Sequence, residues 1–144
     1  MKSLKIRAIR EGDAPFIFNS WLRSYRESPA VVAVPNGIFY EQHHKVISRI
    51  LESSYSQVLV ACDAEDDDKL YGYVVGEFLP GVNIIHWVYC KQECRREGIG
   101  GQLVAEIMVG SELPVQYSHF TRFIKKINTK IHMTYNPYAA FGEL

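Results

Sequence analysis

The segment CRREGIGGQLVAEIM, residues 94–108, constrains this chain more than any other. Three glycines, Gly98, Gly100 and Gly101, fall within four residues, directly ahead of an apolar run carried by Ile99, Leu103, Val104, Ile107 and Met108. Spacings of three and four predict a helix over residues 98–109. Glycine costs such a helix about 1 kcal/mol against alanine, so its start must require bare backbone. A helix start presents several N–H groups without acceptors, together with partial positive charge. A phosphate satisfies both where no side chain blocks its approach. Arg95 and Arg96 add full charge in a geometry suited to phosphate. The segment therefore reads as an anion cradle, for a pyrophosphate above all, with Ile99 facing the core. Two other phosphate motifs fail. The dinucleotide fingerprint needs glycine where Leu103 stands, and no Gly-Lys-Ser/Thr follows for a P-loop.

The flanking pattern supplies the architecture. Leu4, Ile6 and Ala8 alternate with charges as a first strand. Asp13 is placed to cap a helix with Phe16, Ile17, Trp21 and Leu22 on its apolar face, broken at Ser28-Pro29. A second helix over residues 37–53 turns Phe39, His43, Val46, Ile47 and Ile50 to one side. Gln57–Cys62 and Leu70–Phe78 read as a hairpin around the acidic turn of residues 63–69, and Asn83–Cys90 as a third strand beside them. After the glycine-led helix come a strand at Val115–His119, a short helix at Thr121–Asn128 and a last strand at Ile131–Tyr135. This order makes an α+β fold: a mixed, mostly antiparallel central sheet with one parallel, right-handed strand–helix–strand crossing, in a single domain over residues 1–144. Such strand ends and helix starts are where ligands collect.

Composition narrows the partners. Sixteen basic and sixteen acidic side chains cancel, which argues against nucleic acid or an acidic membrane as the main partner. Cys62, Cys90 and Cys94 cannot all pair within one chain, so reduced thiols in a cytoplasmic setting are the simpler reading. No window approaches ~18 continuous apolar residues, and no membrane span or secretory signal is expected.

The stretch VYCKQECRREGIGGQL resembles the strand–loop–helix signature of the GNAT superfamily of N-acetyltransferases, commonly V-x-V-x-P-E-Y-R-G-x-G-I-G. Arg95 to Gly100 fits its R-x-x-G-x-G core. Gln92 replaces the common proline, Cys94 an aromatic residue and Arg96 a glycine. The ending departs from the family pattern, with Ser118-His119-Phe120-Thr121, a basic helix and then Tyr135-Asn136-Pro137-Tyr138, and is similar to that of small phage-encoded members. The resemblance implies acetyl-CoA as cosubstrate and direct acyl transfer to an amine, small molecule or protein, in a ternary complex. It implies that the amides of Arg96, Glu97, Gly98, Ile99, Gly100 and Gly101, beside Arg95, hold the pyrophosphate. It implies a splayed strand pair, residues 83–90 parting from 115–119, with the backbone of Val88, Tyr89 and Cys90 meeting the pantetheine arm.

Acyl transfer needs a neutral amine, a polarised thioester and an exit for the thiolate. A group titrating near neutrality suits the first task. His86 is the leading base, two residues from Val88 and on its face under strict alternation; the plainer reading is a strand histidine satisfied beside the core. Glu77 can serve instead, although a surface glutamate is the plainer reading. Tyr135, like Tyr117 and Tyr138, can protonate the thiolate. His119 can contact either ligand. His43-His44 lacks metal-ligand spacing and reads as structural, and no metal site is expected. The cluster Arg122, Lys125, Lys126 and Lys130 reads as a solvated face, or else as a nucleic-acid contact. Two other functions stay open: a catalytically inactive CoA- or partner-binding protein, and a nucleic-acid-modifying enzyme on the same scaffold. The acceptor and the oligomeric state, a homodimer included, are not written in the sequence.

Overall fold

The computed structural model describes residues 3–128 and 131–142. One sheet holds six strands in chain order: β1 Leu4–Ala8, β2 Ser56–Asp63, β3 Leu70–Leu79, β4 Val82–Cys90, β5 Val115–Tyr117 and β6 Thr134–Tyr135. The first three junctions are antiparallel, and β4–β5 and β5–β6 are parallel. The helices are α1 Ala14–Tyr25, α2 Asn36–Glu52, α3 Ile99–Ile107 and α4 Arg122–Ile127. The expected crossing runs through α3, and α4 makes a second one into β6. The last strand is shorter than its sequence suggests, two residues rather than five. Lys130 of the basic cluster lies outside the described residues.

The sheet is sandwiched between two apolar layers. Val58, Val60, Tyr73, Val75 and Trp87 face α1 and α2, where Ile17, Trp21, Ile47 and Ile50 are fully buried. Ala61, Val74, Ile85 and Val88 face α3, against Ile99, Leu103, Val104 and Ile107. Trp21 and Trp87 stack nearly parallel at 5.4 Å between centroids, pinning α1 to β4. Asp13 does not cap α1 as expected. Its carboxylate is bridged by Arg7 at 2.8 and 3.0 Å and accepts the Arg10 N–H at 2.8 Å. That bond ties the end of β1 to the helix start, where Pro15 occupies the first turn and its missing N–H costs nothing.

Two irregularities shape the edge where β4 meets β5. On β4, Ile85 pairs with Gly76 and Trp87 with Val75, so His86 is the extra residue of a bulge. The bulge shifts the alternation. Val88 packs on the α3 face, whereas Trp87 packs on the α1–α2 face, and His86 approaches His119 on that same side. The expectation that His86 shares a face with Val88 is therefore corrected. The second irregularity is an early parting of strands. Pairing of β4 with β5 ends at Ile85 and Tyr117, while β4 runs on to Cys90. Lys91 N–H donates to Tyr71 O at 2.9 Å. Alternation then turns the peptide groups of Tyr89 toward β3 and those of Val88 and Cys90 to the open side. β5 also stops two residues short of the expected His119.

Gly72 fixes the distance between β3 and the open strand, since a Cβ there would sit 2.4 Å from Tyr89 O. The expected cost of Gly72→Ala is about 2 kcal/mol of overpacking, read as a fall in the urea midpoint at unchanged m-value.

Candidate active site

The parting of β4 and β5 opens a cleft of about 670 Å³, floored by Val88 and Cys90 and closed by the start of α3 and by α4. Arg95, Arg96, Arg122 and Lys126 line it. At the helix start, Arg95 N–H donates to Gln92 O, and the next amide to reach a backbone carbonyl within α3 is that of Gln102, 3.0 Å from Gly98 O. Among the described residues, no backbone carbonyl accepts from the amides of Arg96, Gly98, Ile99, Gly100 or Gly101. The Gly100 amide is directed at the Cys90 thiol, which burial nonetheless pushes up to about 11. Arg96 and Gly98 both have left-handed backbone, φ 74° and 78°, which brings successive N–H groups toward one side. For Arg96, standing where the family commonly has glycine, that conformation costs about 1 kcal/mol.

The three glycines serve three different ends. Gly98 is required by its positive φ. Gly100 is required by packing, because an added Cβ would lie 2.4 Å from the Phe123 ring. Only Gly101 meets open space with an ordinary φ, and there the bare backbone faces solvent alone. At Gly100 the close approach of Phe123 is a further reason for glycine.

On the α1–α2 side lies a feature that sequence reasoning saw only in parts. Glu77 and His86, expected as base candidates, are 3% and 1% exposed and touch each other, with His86 Nε2 2.9 Å from Glu77 Oε1. The reading of Glu77 as a surface glutamate is corrected. Arg49 bridges its other side at 3.1 and 3.3 Å. From His86 the contacts continue: Nδ1 to Ser118 Oγ at 2.6 Å, Ser118 Oγ to His119 Nδ1 at 2.7 Å, and His119 Nε2 to His43 Nε2 at 2.8 Å. Burial alone would raise the Glu77 carboxyl, but hydrogen bonds from His86 and Arg49 outweigh it and hold the group at about 2. Burial also lowers His86, takes His119 well below its ordinary value, and takes His43 down to about 4. The chain is thus an ionised carboxylate followed by three neutral imidazoles. His43, expected to be structural, is its outermost member. The available signal was its place on the apolar face of α2.

His43, Ser118 and His119 border a second cavity of about 290 Å³. Tyr135 also lines it, stacked on Tyr117 at 5.2 Å. Burial and the neighbouring Tyr117 raise its phenol, so it stays protonated at neutral pH. The expected catalytic residues therefore divide: Glu77 and His86 lie inside, and Tyr135 lies at the cavity wall. The expected cofactor residues Val88, Tyr89, Cys90, Arg95, Arg96, Gly98, Ile99, Gly100 and Gly101 all border the cleft. Glu97 lies within the same loop, between Arg96 and Gly98.

Residues 15–112 match the family described as the acetyltransferase (GNAT) family. No curated protein sequence matches this chain. The fold is similar to that of a Pyrococcus furiosus protein described as an acetyl transferase, at 15% identity over 90% of this chain and 93% of that one, with a TM-score of 0.68. It is similar to a GNAT family acetyltransferase from Brucella melitensis solved with acetyl-CoA, at 18% identity, 88% and 82% coverage and a TM-score of 0.60. PaiA N-acetyltransferase from Thermoplasma acidophilum, solved with coenzyme A, is similar at 18% identity, 73% and 69% coverage and a TM-score of 0.50. At these identities the likeness is one of fold.

The neutral imidazoles carry a pH signature. His43 titrates at about 4 folded and near 6.5 unfolded. With a depressed folded value, its stabilisation is complete above the unfolded value and is lost as pH falls from 6.5 toward 4. The expected loss from His43 reaches about 3 kcal/mol, with His86 and His119 adding in the same direction. Glu77 contributes its own loss only below the ordinary carboxylate range. Calorimetric Tm should fall across that window, and less steeply in His43→Phe; a flat profile from pH 7 to 4.5 contradicts the neutral chain.

Proposed function

Because the chain belongs to the acetyltransferase (GNAT) family, we propose that it is an acyl-CoA-dependent N-acyltransferase, moving an acetyl group from acetyl-CoA to an amine by direct attack in a ternary complex. The observation that carries the reading is the run of open amides at the start of α3, beside Arg95, Arg96 and Arg122 in a cleft open along one strand edge. Those groups fit a pyrophosphate: Arg96, Gly98, Ile99 and Gly101 donate backbone N–H bonds, and the arginines add charge. The outward peptide groups of Val88 and Cys90 suit an amide-bearing arm. Tyr89 contributes through its side chain, which packs against Phe16 and Tyr73, since its peptide turns toward β3.

Bound acetyl-CoA supplies an activated acyl carbon. The protein's own part is to hold the amine against that carbon and to receive its proton. Glu77 and His86 are too buried to touch a substrate and serve as positioning residues, fixing the orientation of Ser118 and His119. Tyr135, with its proton in place, is the donor for the departing sulfur.

Gly101→Asp separates binding from folding. Aspartate at the start of α3 removes a helical glycine and complements the dipole, so Tm should hold or rise. The same carboxylate repels phosphate, and acetyl-CoA affinity by titration calorimetry should fall at least about 100-fold. Unchanged affinity would refute the cradle. Binding without thiol release from any amine would leave a CoA-binding protein on this fold.

A further inference from the structure

The buried chain that starts at Glu77 contains a hydroxyl that acyl transfer in the cleft does not use. We propose that Ser118 is an acyl-accepting nucleophile, activated by Glu77 and His86, and that the cavity it borders admits a compact neutral ester. The proposal goes beyond the acyltransferase reading and does not depend on it.

A carboxylate, an imidazole and a serine hydroxyl stand in series. His86 Nε2 lies 2.9 Å from Glu77 Oε1, and His86 Nδ1 lies 2.6 Å from Ser118 Oγ. Three elements bring them together: Glu77 comes from β3, His86 from the bulge of β4, and Ser118 from just beyond β5. Arg49 bridges the far side of Glu77 and helps to keep it ionised. An ionised carboxylate can only accept, so His86 carries its proton on Nε2 and a lone pair on Nδ1. Ser118 O–H therefore donates to His86, the direction in which an imidazole takes a proton from a nucleophilic hydroxyl. The ring is reversed relative to the serine-protease arrangement, with the carboxylate on Nε2 and the serine on Nδ1, but the three roles are the same. His86 is too buried to meet a substrate directly, yet it touches the reacting oxygen.

His119 supports the nucleophile from the other side. Its Nδ1 lies 2.7 Å from Ser118 Oγ, whose one proton already goes to His86, so His119 donates here. Its Nε2 then accepts from His43 Nε2–H at 2.8 Å, which holds this tautomer. An N–H aimed at Oγ favours negative charge there as the proton departs. One lone pair of Oγ remains, and Ser118 borders the cavity. Among the described residues, no backbone carbonyl accepts from the amides of His119 and Phe120, which follow the serine in the chain. Such N–H groups beside a nucleophile are the donors that a developing acyl oxyanion needs.

The cavity sets the class of ester. Val31, Val34, Phe39 and Tyr135 supply much of its wall, and among the described residues that line it none bears a fixed charge. A phosphate ester or an ammonium-bearing substrate would bring an unpaired charge into this space, which is strongly disfavoured. The volume, about 290 Å³, is at the small end for ligand pockets and suits a short acyl group. The packed rings of Tyr25, Trp87 and His119, 4.7–5.9 Å apart between centroids, stand between the cavity and the cleft. The ester therefore enters by the cavity's own rim, where Ile38 and Phe141 are exposed. In the reaction Oγ bonds to the carbonyl carbon, the C–O bond to the leaving group breaks, and the leaving oxygen departs as its anion. The Oγ proton passes to His86 Nδ1, where Glu77 stabilises the imidazolium. Water then attacks the acyl-serine and Oγ regains its proton from His86. The acid leaves as carboxylate, and both of the water's protons go to solvent. With His86 already charged, no base assists the water, so the acyl-serine accumulates.

The test incubates the full chain with 4-nitrophenyl acetate, follows nitrophenolate, and locates the acetyl group by mass spectrometry of the intact chain and its peptides. No acetyl-CoA is present, so the outcome stands apart from the cleft. Expected is a burst of about one nitrophenolate per chain, with the acetyl group on Ser118. The burst is lost in Ser118→Ala, and acetylation of Ser118 slows at least about 100-fold in His86→Gln. Should the alanine variant fail to fold, Ser118→Cys keeps the position filled and carries the acetyl group there. Ser118 left bare, whether or not lysines or Cys90 react, overturns the proposal, as does an unchanged rate in His86→Gln. Phosphorylation of Ser118 by 4-nitrophenyl phosphate overturns the substrate class. Glu77 acts through His86, so its test adds nitrogen-15 spectra of the histidines. A proton on Nε2 of His86 in the unaltered protein, moving in part to Nδ1 in Glu77→Gln as acetylation slows, supports its role. A proton on Nδ1 of His86 in the unaltered protein overturns it.

Discussion

A carboxylate buried at 3% exposure must be paired, and the pairing of Glu77 organises much of this molecule. Arg49 reaches it from α2, and His86 reaches it from the bulge of β4. Without the bulge, His86 would point to the opposite face and Glu77 would lose a partner. The same arginine holds the turn at Pro137–Phe141 through Ala140, so one ionised group ties a helix, two strands and that turn together. Ser118 and His119 complete the network just beyond the end of β5.

The cleft and the cavity differ in the chemistry of their walls. One is lined by arginines and amides, and the other by aliphatic and aromatic side chains. Between them, Trp21, Tyr25, Trp87 and His119 form a packed partition whose rings fix each other edge to face or stacked. Aromatic contacts of this kind hold geometry at little entropic cost.

Much of this was legible in the sequence, and the reasons are specific. The α3 start announced itself through glycines that a helix would otherwise reject, and the hairpin through its apolar alternation. Local signals of that kind survive folding because the chain neighbours that create them are also neighbours in space. What was not legible depends on partners distant in sequence. The role of Gly100 rests on Phe123, a contact that no local pattern carries. Glu77 looked like a surface residue because its partners stand 28 positions before it and 9 after. The bulge broke the parity argument for His86, and nothing in the run NIIHWVYC marks where alternation slips. His43 shows no metal-ligand spacing in the sequence, and the partner that gives it a place lies 76 residues away.

The Cys90 thiol has a consequence for durability. It borders the cleft, and a thiolate there would exchange with any thioester that entered. With the thiol held at about 11, only about one molecule in ten thousand carries the reactive thiolate near neutrality. Burial thereby leaves a wall made partly of sulfur chemically quiet near neutrality.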